Sequence, residues 1–195
     1  NTKGAYGDDS YWICENKTDP LAQSFFVENT HGVYVTQADV YLAAKDDTLP
    51  LIIQLRTVKL GLPTEEVIPF GEVVLQPGYC QVSDNASIPT SVVFPSPVYL
   101  SPGETYAIVL MSVSPNYMAW ISRMGETDVG GTRTISEQPH VGVLLKSSNN
   151  TAWAPSYLED LKFSLKTAKF TAGATGTVTL QNETHPVKTL QPNSF

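Results

Sequence analysis

Cysteine is scarce in this sequence, since Cys14 and Cys80 are the only two among 195 residues. Two cysteines allow at most one bridge, which excludes a disulfide-stapled scaffold, and two free thiols in a reducing compartment is the simpler interpretation. No CxxC motif and no Cys/His cluster occurs, so the sequence predicts no structural zinc. A chain of this length buries about 70% of the surface that it exposes when unfolded, and its core therefore needs neither disulfide nor metal.

Basic residues and long apolar runs are also missing. Lys and Arg total 12 against 19 Asp and Glu, a formal net charge of −7 at pH 7, and no stretch clusters the basic residues. A nucleic-acid surface normally needs such a basic patch, so we expect no nucleic-acid partner. The longest apolar runs, such as residues 107–111, are far shorter than the ~18 residues of a membrane span, so we expect no membrane insertion.

A helical apolar period is absent as well: no segment of ten or more residues repeats apolar side chains every 3.6 residues. Instead Val (19) and Thr (20) are abundant, aromatic residues make up 10% of the chain, and 14 prolines divide it into short pieces. β-branched and aromatic residues favour strands, and about ten short strands are expected between residues 23 and 169. The composition predicts an all-β fold, an antiparallel β-sandwich of jelly-roll type.

Three segments organise the chain. Residues 1–18 are polar, do not resemble a signal peptide, and are expected to form an extended N-terminal arm or linker. Residues 19–170 hold the predicted sandwich. Residues 171–195 begin with small side chains and are expected to be a linker and C-terminal tail that starts a following segment. Since residue 1 is not Met, we expect a fragment or a processed piece of a longer chain.

Alternating apolar residues mark the clearest strands. Residues 105–111 are apolar on both faces, which predicts a central strand. Residues 161–169 alternate cleanly, with lysines on the outer face, as expected of a sheet edge guarded against foreign strands. In residues 33–43 the face expected to be buried carries Tyr34, Ala38, Val40 and Leu42. The middle of the chain is predicted to be loop-rich, because prolines at positions 69, 77, 89, 95 and 97 interrupt any element there.

Catalytic constellations are not found in the sequence. Acidic pairs occur at positions 8–9, 46–47, 65–66 and 159–160, but a glycosidase needs two carboxylates facing each other across a cleft. Such adjacent pairs are expected to be solvated surface groups. The three histidines are far apart, the GxSxG and GxxxxGK[ST] motifs are absent, and residues 125–131 lack the alternating Asp spacing of calcium loops. We therefore expect no enzyme, no cofactor and no metal.

Several stretches of the chain together carry a family resemblance. They are DPLAQSFFV at 19–27, KDDTLP at 45–50, LRTV at 55–58 leading into GLP at 61–63, VIPF at 67–70, FPSPVYL at 94–100, PGETY at 102–106, QP at 138–139, KSSNNTAW at 146–153 and DLKF at 160–163. In this order the sequence resembles a domain of large tail proteins of contractile-tailed bacteriophages, notably baseplate wedge proteins of T-even-like and cyanophage type. The resemblance covers about residues 19–170, and residues 176–190 resemble its continuation.

The resemblance implies a rigid β-sandwich that serves as a building block of a tail. The expected function is that of a non-enzymatic virion structural domain, assembled in the host cytoplasm, whose partners are other tail and baseplate proteins. Homo-oligomerisation stays open, because baseplate subunits enter the assembly as monomers, dimers or trimers. The alternative is a carbohydrate-binding module of a tail or receptor-binding protein, with a host glycan as ligand. A glycan depolymerase is a third reading.

Each function has its candidate residues among the aromatics. The candidates expected to be exposed near loops are Tyr117, Trp120, Trp153 and Tyr157. Three roles stay open for them: sugar-stacking rings, protein–protein anchors, or core residues instead. For the sugar alternative the candidates are Trp120 and Trp153. For assembly contacts the candidates are Tyr11, Trp12 and Ile13 in the arm, together with Trp153 and Tyr157. Such an arm can lie across a neighbour or add a strand to its sheet.

Overall fold

Two antiparallel sheets of six strands each make up the part of the chain that the structure describes. The structure is a computed structural model, and it describes residues 20–138, 141–148, 150–171, 173, 175–177 and 179, with the backbone of residues 11–13. Among these residues there is no α-helix, so the predicted all-β class is confirmed. The strands are β1 Tyr11–Ile13, β2 Leu21–Phe26, β3 Val33–Ala44, β4 Leu51–Lys59, β5 Leu62–Leu75, β6 Pro89–Leu100, β7 Thr105–Met111, β8 Met118–Arg123, β9 Leu144–Ser147, β10 Trp153–Ser156, β11 Glu159–Leu161 and β12 Phe163–Thr167.

The first sheet has the order β1-β8-β3-β12, with β11 also paired to β8 and β6 to β3, and the second has the order β10-β9-β2-β7-β4-β5. Strand β7 lies between β2 and β4, and six of its seven residues are buried, which confirms the predicted central strand. The inner faces of the two sheets share one apolar cluster that includes Val35 and Val40 from the first sheet and Ile53 and Leu110 from the second. The sheets therefore pack as a sandwich.

A second apolar cluster lies on the outer face of the second sheet. Its buried members are Ala22, Ala107, Val109, Met111, Leu145 and Trp153. The connection between β9 and β10 reaches over this face, because Asn150 Oδ1 accepts a hydrogen bond of 3.0 Å from Nη1 of the buried Arg56 in β4. The second sheet is thus packed on both faces, which agrees with the apolar character of both faces of β7.

The prediction of a loop-rich middle is wrong, because the long strands β5 and β6 run through five of the prolines. Within the described residues both strands lie at sheet edges, β5 paired with β4 and β6 with β3, so a missing N–H costs less there. Both strands also bulge: Ile68–Gly71 lies opposite the single Leu55, and Phe94–Pro97 lies opposite the single Thr36. The bulges hold the prolines at positions 69, 95 and 97 out of the ladder.

The bulge opposite Thr36 also changes which residues of β3 face the core. Ala38, Val40 and Leu42 are buried as predicted, but Tyr34 is exposed and Val35 is fully buried in its place. The register shifts between Val35 and Gln37, and a shift of this kind reverses the alternation of faces along a strand. The prediction for Tyr34 is therefore wrong.

The predicted strand at residues 161–169 is divided between two partners. Leu161 pairs with Ile121 of β8, whereas Phe163 pairs with Val40 of β3. The expected alternation is present, because Phe163 and Leu165 pack against the core while Lys166 is exposed. Within the described residues β12 pairs only with β3, which places it at a sheet edge as predicted.

Candidate functional site

A cleft of about 940 Å³ opens between β2 of the second sheet and β11–β12 of the first. Its apolar wall comes from Phe25, whose ring centroid lies 5.9 Å from that of Phe163 in β12. The opposite wall comes from residues 127–130 and Ile135. This volume falls in the range of binding pockets, and the lining combines apolar side chains with polar and charged ones such as Glu28 and Lys162. The cleft is therefore the candidate functional site.

Gln23 joins the two sheets at the floor of the cleft. Its side chain is buried; Nε2 donates a hydrogen bond of 2.9 Å to Asp160 Oδ1, and Oε1 accepts one of 2.9 Å from the Leu161 N–H. Because both amide ends are used, β2 is held to β11 at a fixed spacing. The two sides of the cleft are therefore connected at its floor by the hydrogen bonds of Gln23.

A hairpin over residues 124–135 forms the second wall. Gly125 N–H donates to Ile135 O and Ile135 N–H donates to Glu126 O, both at 2.8 Å. At its tip the Asp128 carboxylate accepts hydrogen bonds from the N–H groups of Thr132 and Arg133. That carboxylate closes the turn, and no group of three or more His, Cys, Asp or Glu side chains suited to a metal occurs in the described residues. Val129, near the tip, is exposed at the rim.

The loop at residues 83–86 is fixed beside the cleft by two side chains from the first sheet. Trp120 Nε1 donates a hydrogen bond of 2.9 Å to Ser83 O, and Lys162 Nζ donates one of 2.8 Å to Ala86 O. Lys162 Nζ also lies 4.5 Å from the ring centroid of Tyr41, within cation–π range. Trp120 and Lys162 therefore hold this loop in place.

Three of the four aromatic candidates are core residues, which is one of the roles left open for them, and for these three the expected exposure is wrong. Trp120 is 4% exposed, Trp153 is 9% exposed and Tyr117 is fully buried, whereas Tyr157 is 69% exposed. Trp120 lies under the 83–86 loop, and Trp153 packs on the outer face of the second sheet. A sugar stacks only on an exposed ring face, so neither tryptophan offers a stacking surface in this conformation. Tyr157 remains a candidate contact residue.

The arm residues Tyr11, Trp12 and Ile13 form strand β1 beside β8, with Tyr11 opposite Trp120 and Ile13 opposite Met118. This stretch of the predicted arm therefore extends the first sheet of its own domain. The other residues of segment 1–18, and most of segment 171–195, lie outside the described residues. Contacts of this arm with a neighbour stay a prediction, as do the domain boundaries. Cys14 also lies outside the described residues, and Cys80 is a buried free thiol.

Two of the acidic pairs are buried in part, contrary to the expectation of solvated groups. Glu159 is buried and accepts hydrogen bonds from Lys146 Nζ and from Ser156 Oγ, the latter at 2.6 Å. Its neighbour Asp160 is directed to Gln23 on the other side of β11. Burial lowers the pKa of Lys146, and the Glu159 carboxylate opposes this effect. The ion pair of Glu159 with Lys146 joins β11 of the first sheet to β9 of the second, so its role is structural.

Asp46 is the buried carboxylate of the other acidic pair. Its Oδ2 accepts hydrogen bonds from Ser114 Oγ at 2.6 Å and Asn116 Nδ2 at 2.8 Å. Its Oδ1 accepts from the N–H groups of Thr48 and Leu49, both at 2.7 Å. These bonds, with that from Ser114 the strongest influence, hold the pKa of Asp46 well below its usual range. The carboxylate joins the turn after β3 to the connection between β7 and β8.

We expect Asp46→Asn to lower the thermal midpoint at pH 7, because an amide cannot accept all of these bonds. The low folded pKa means that ionisation stabilises the fold above the unfolded pKa of about 3.9, and that this stability is lost as the pH falls. The difference in thermal midpoint between wild type and Asp46→Asn, measured by circular dichroism, should therefore become smaller as the pH is lowered from 7 to 3. The exposed Asp47→Asn is the matched control. A gap that is constant with pH would contradict this role.

Sequence reasoning missed the exposed aromatic surface of the first sheet. Tyr34 of β3 lies directly opposite Tyr99 of β6, with ring centroids 5.0 Å apart, and Phe170 meets Tyr34 edge-on at 5.2 Å. All three side chains are exposed. The motif FPSPVYL contains a signal for the bulge in its two prolines, but it does not indicate that the bulge turns Tyr34 outward.

Comparison with protein-family models finds no matching family, and comparison with curated proteins finds no match. In the residues that the structure describes, no helix is long and apolar enough to cross a membrane.

Proposed function

We propose that this chain is a non-enzymatic structural domain of a phage tail baseplate protein, of the wedge type that its sequence resembles. Its task is to join neighbouring tail proteins by protein–protein contacts, in a particle assembled in the host cytoplasm. The observation that carries the proposal is the exposed apolar rim of the cleft. Phe26, Val129 and Val141 all line it, and Val141 is 77% exposed. Apolar patches beside a well-formed groove are typical of interaction surfaces.

The proposed occupant of the cleft is an apolar segment of a neighbouring tail protein. Phe25 and Phe163 form an apolar wall that such side chains would cover, and the Gln23 bridge at the floor holds the two sides of the groove at a fixed spacing. The exposed Tyr157 and Leu158 continue the surface, because Met124 at the base of the hairpin donates its N–H to Leu158 O. A buried anchor of this kind supplies much of the energy of an interface.

The sandwich winding is proposed to be of jelly-roll type. Its support is the strand order, since β1-β8-β3-β6 and β2-β7-β4-β5 are neighbours in the two sheets. This order arises when one long hairpin, which pairs β1 with β8, β2 with β7, β3 with β6 and β4 with β5, rolls up so that successive pairs alternate between sheets. Strands β9 to β12 add to both sheets after this roll.

We expect Val141→Asp to reduce the number of assembled tails at least tenfold. A charge placed in an apolar contact opposes docking, and a hot-spot loss of about 2 kcal/mol corresponds to about thirtyfold in affinity. The variant is introduced into the encoding phage, and tails are counted by electron microscopy after gradient purification.

Leu60→Asp is the matched control, because Leu60 is fully exposed on the turn between β4 and β5, away from the cleft, at a φ of 53° that Asp tolerates. The control should assemble normally. The purified Val141→Asp domain should have the same thermal midpoint as the wild-type domain, which would exclude misfolding as the cause of the loss. Equal tail counts for the two variants would contradict the docking role of the cleft.

A further inference from the structure

We propose that the outer face of the first sheet is a carbohydrate-binding surface, with Tyr34, Tyr99 and Phe170 as the stacking rings. This proposal is independent of the docking role of the cleft, since its three rings are not among the residues that line the cleft. It also differs from the expectation based on Trp120 and Trp153, because the three rings named here are exposed and those two are buried.

The rings form a preformed platform. Tyr34 and Tyr99 are cross-strand partners in β3 and β6, so the backbone fixes their spacing, and their ring planes are inclined by 46°. Phe170 stands at 80° to Tyr34 and supports it from the side. Sugar rings carry an apolar C–H face that packs on aromatic rings, and rings held in place lose little entropy on binding.

Gly32 is the local reason for the position of Tyr99. Its φ is +72°, and a Cβ built there would lie 2.5 Å from Leu100 O and 2.9 Å from Cε2 of the Tyr99 ring. The ring of Tyr99 therefore lies against the bare backbone of the turn before β3. Any side chain at position 32 would displace the ring, so the turn and the platform depend on the same glycine.

A polar ladder continues the same face of β3. Asp39 Oδ1 accepts hydrogen bonds from Gln37 Nε2 at 2.6 Å and from Ser91 Oγ at 2.7 Å, and Lys166 Nζ lies 3.1 Å from Asp39 Oδ2. Gln37 lies three residues from Tyr34, about 7–10 Å along the strand. The buried Asp39 thus fixes the amide of Gln37, the hydroxyl of Ser91 and the exposed ammonium group of Lys166 beside the platform.

The chemistry of this face suits a glycan better than a protein or a charged ligand. The charge of Asp39 is matched by that of Lys166, so the ladder offers hydrogen bonds without net charge. Uncharged hydroxyl groups require such donors and acceptors, and orienting polar groups beside an apolar surface are the usual means of specificity in small-ligand sites. We therefore assign to this face a glycan whose sugar units are predominantly neutral.

The test applies the fluorescently labelled 195-residue chain to an array of neutral and acidic glycans. We expect signals on neutral glycans that fall at least tenfold for Tyr34→Ala and Tyr99→Ala. Tyr99→Phe should retain most of the signal, because stacking requires the ring and not the hydroxyl. Tyr79→Ala is the control, since Tyr79 is also an exposed tyrosine but lies on the turn at Pro77–Tyr79, outside this face. Thermal midpoints verify that every variant is folded.

An array without signal for the wild-type chain would overturn the proposal, and so would equal losses for Tyr99→Ala and Tyr79→Ala. Signals confined to acidic glycans would also contradict it, because within the ladder the charge of Lys166 is matched by that of Asp39. If Tyr34→Ala and Tyr99→Ala instead impaired tail assembly while the array stayed empty, the face would be a protein contact and the glycan assignment would be wrong. Failure of the cleft experiment leaves each of these outcomes unchanged.

Discussion

Trp153→Ala should destabilise the domain by about 3–5 kcal/mol, the range for removing a buried tryptophan. Trp153 completes the apolar cluster on the outer face of the second sheet, where it packs with Ala22, Val109 and Leu145. These small side chains cannot expand to fill the space that the indole leaves. The connection between β9 and β10, which reaches Arg56 through Asn150, should also loosen. Urea unfolding followed by circular dichroism measures the loss.

Tyr157→Ala is the control for this prediction, because Tyr157 lies four residues further along the chain and is exposed. Its effect should be within about 0.5 kcal/mol, as for surface residues in general. A Trp153→Ala variant as stable as Tyr157→Ala would mean that the outer face is not packed as described. A loss of stability in the expected range would confirm that Trp153 is a core residue and not an exposed contact residue.

Glu159→Gln should destabilise the domain by about 2–3 kcal/mol. The substitution keeps the shape of the side chain but removes the negative charge of the carboxylate that accepts hydrogen bonds from Lys146 and Ser156. Arg123 Nε, which lies 3.9 Å from Glu159 Oε1, also loses its counter-charge. Removing one partner of a fully buried pair costs about 3–5 kcal/mol, and the partial exposure of Lys146 reduces that figure. Since the pair joins β11 to β9, the loss affects the attachment of one sheet to the other.

Glu126→Gln provides the comparison for Glu159→Gln. Glu126 forms an exposed ion pair with Arg123, the same cation that borders Glu159. Exposed pairs contribute at most about 1 kcal/mol and are screened by salt. Denaturant unfolding at low salt and in 1 M salt should therefore leave the Glu159→Gln effect nearly unchanged and abolish that of Glu126→Gln. If both substitutions destabilised the domain equally at low salt and neither did so in 1 M salt, Glu159 would not form a buried ion pair.

The fold class could be predicted from the sequence because strand alternation is a local property. Residues 105–111 are apolar on both faces and do form the central strand β7, and residues 161–169 alternate and do border the core. The prolines were misleading, because their effect depends on whether a strand lies at an edge, which is a property of the sheet. The exposure of Tyr34 likewise depends on a bulge, which only the pairing of β3 with β6 and β12 reveals.

The cleft could not be predicted, because its parts meet only in the tertiary structure. Gln23 reaches Asp160 and Leu161, which lie more than 130 residues further along the chain, and the hairpin at residues 124–135 supplies the other wall. Nothing in the local sequence of any of these segments indicates the others. The tryptophans were misassigned for the same reason, since the loop that covers Trp120 comes from residues 83–86.

An immunoblot of gradient-purified phage particles tests most directly the proposal that this chain belongs to a tail structural protein. An antibody raised against the domain is used on tails separated under denaturing conditions. We expect a band that co-purifies with the tails, at a mass well above the 21.2 kDa of this chain. A soluble band of 21.2 kDa that is absent from the particles would contradict the structural role.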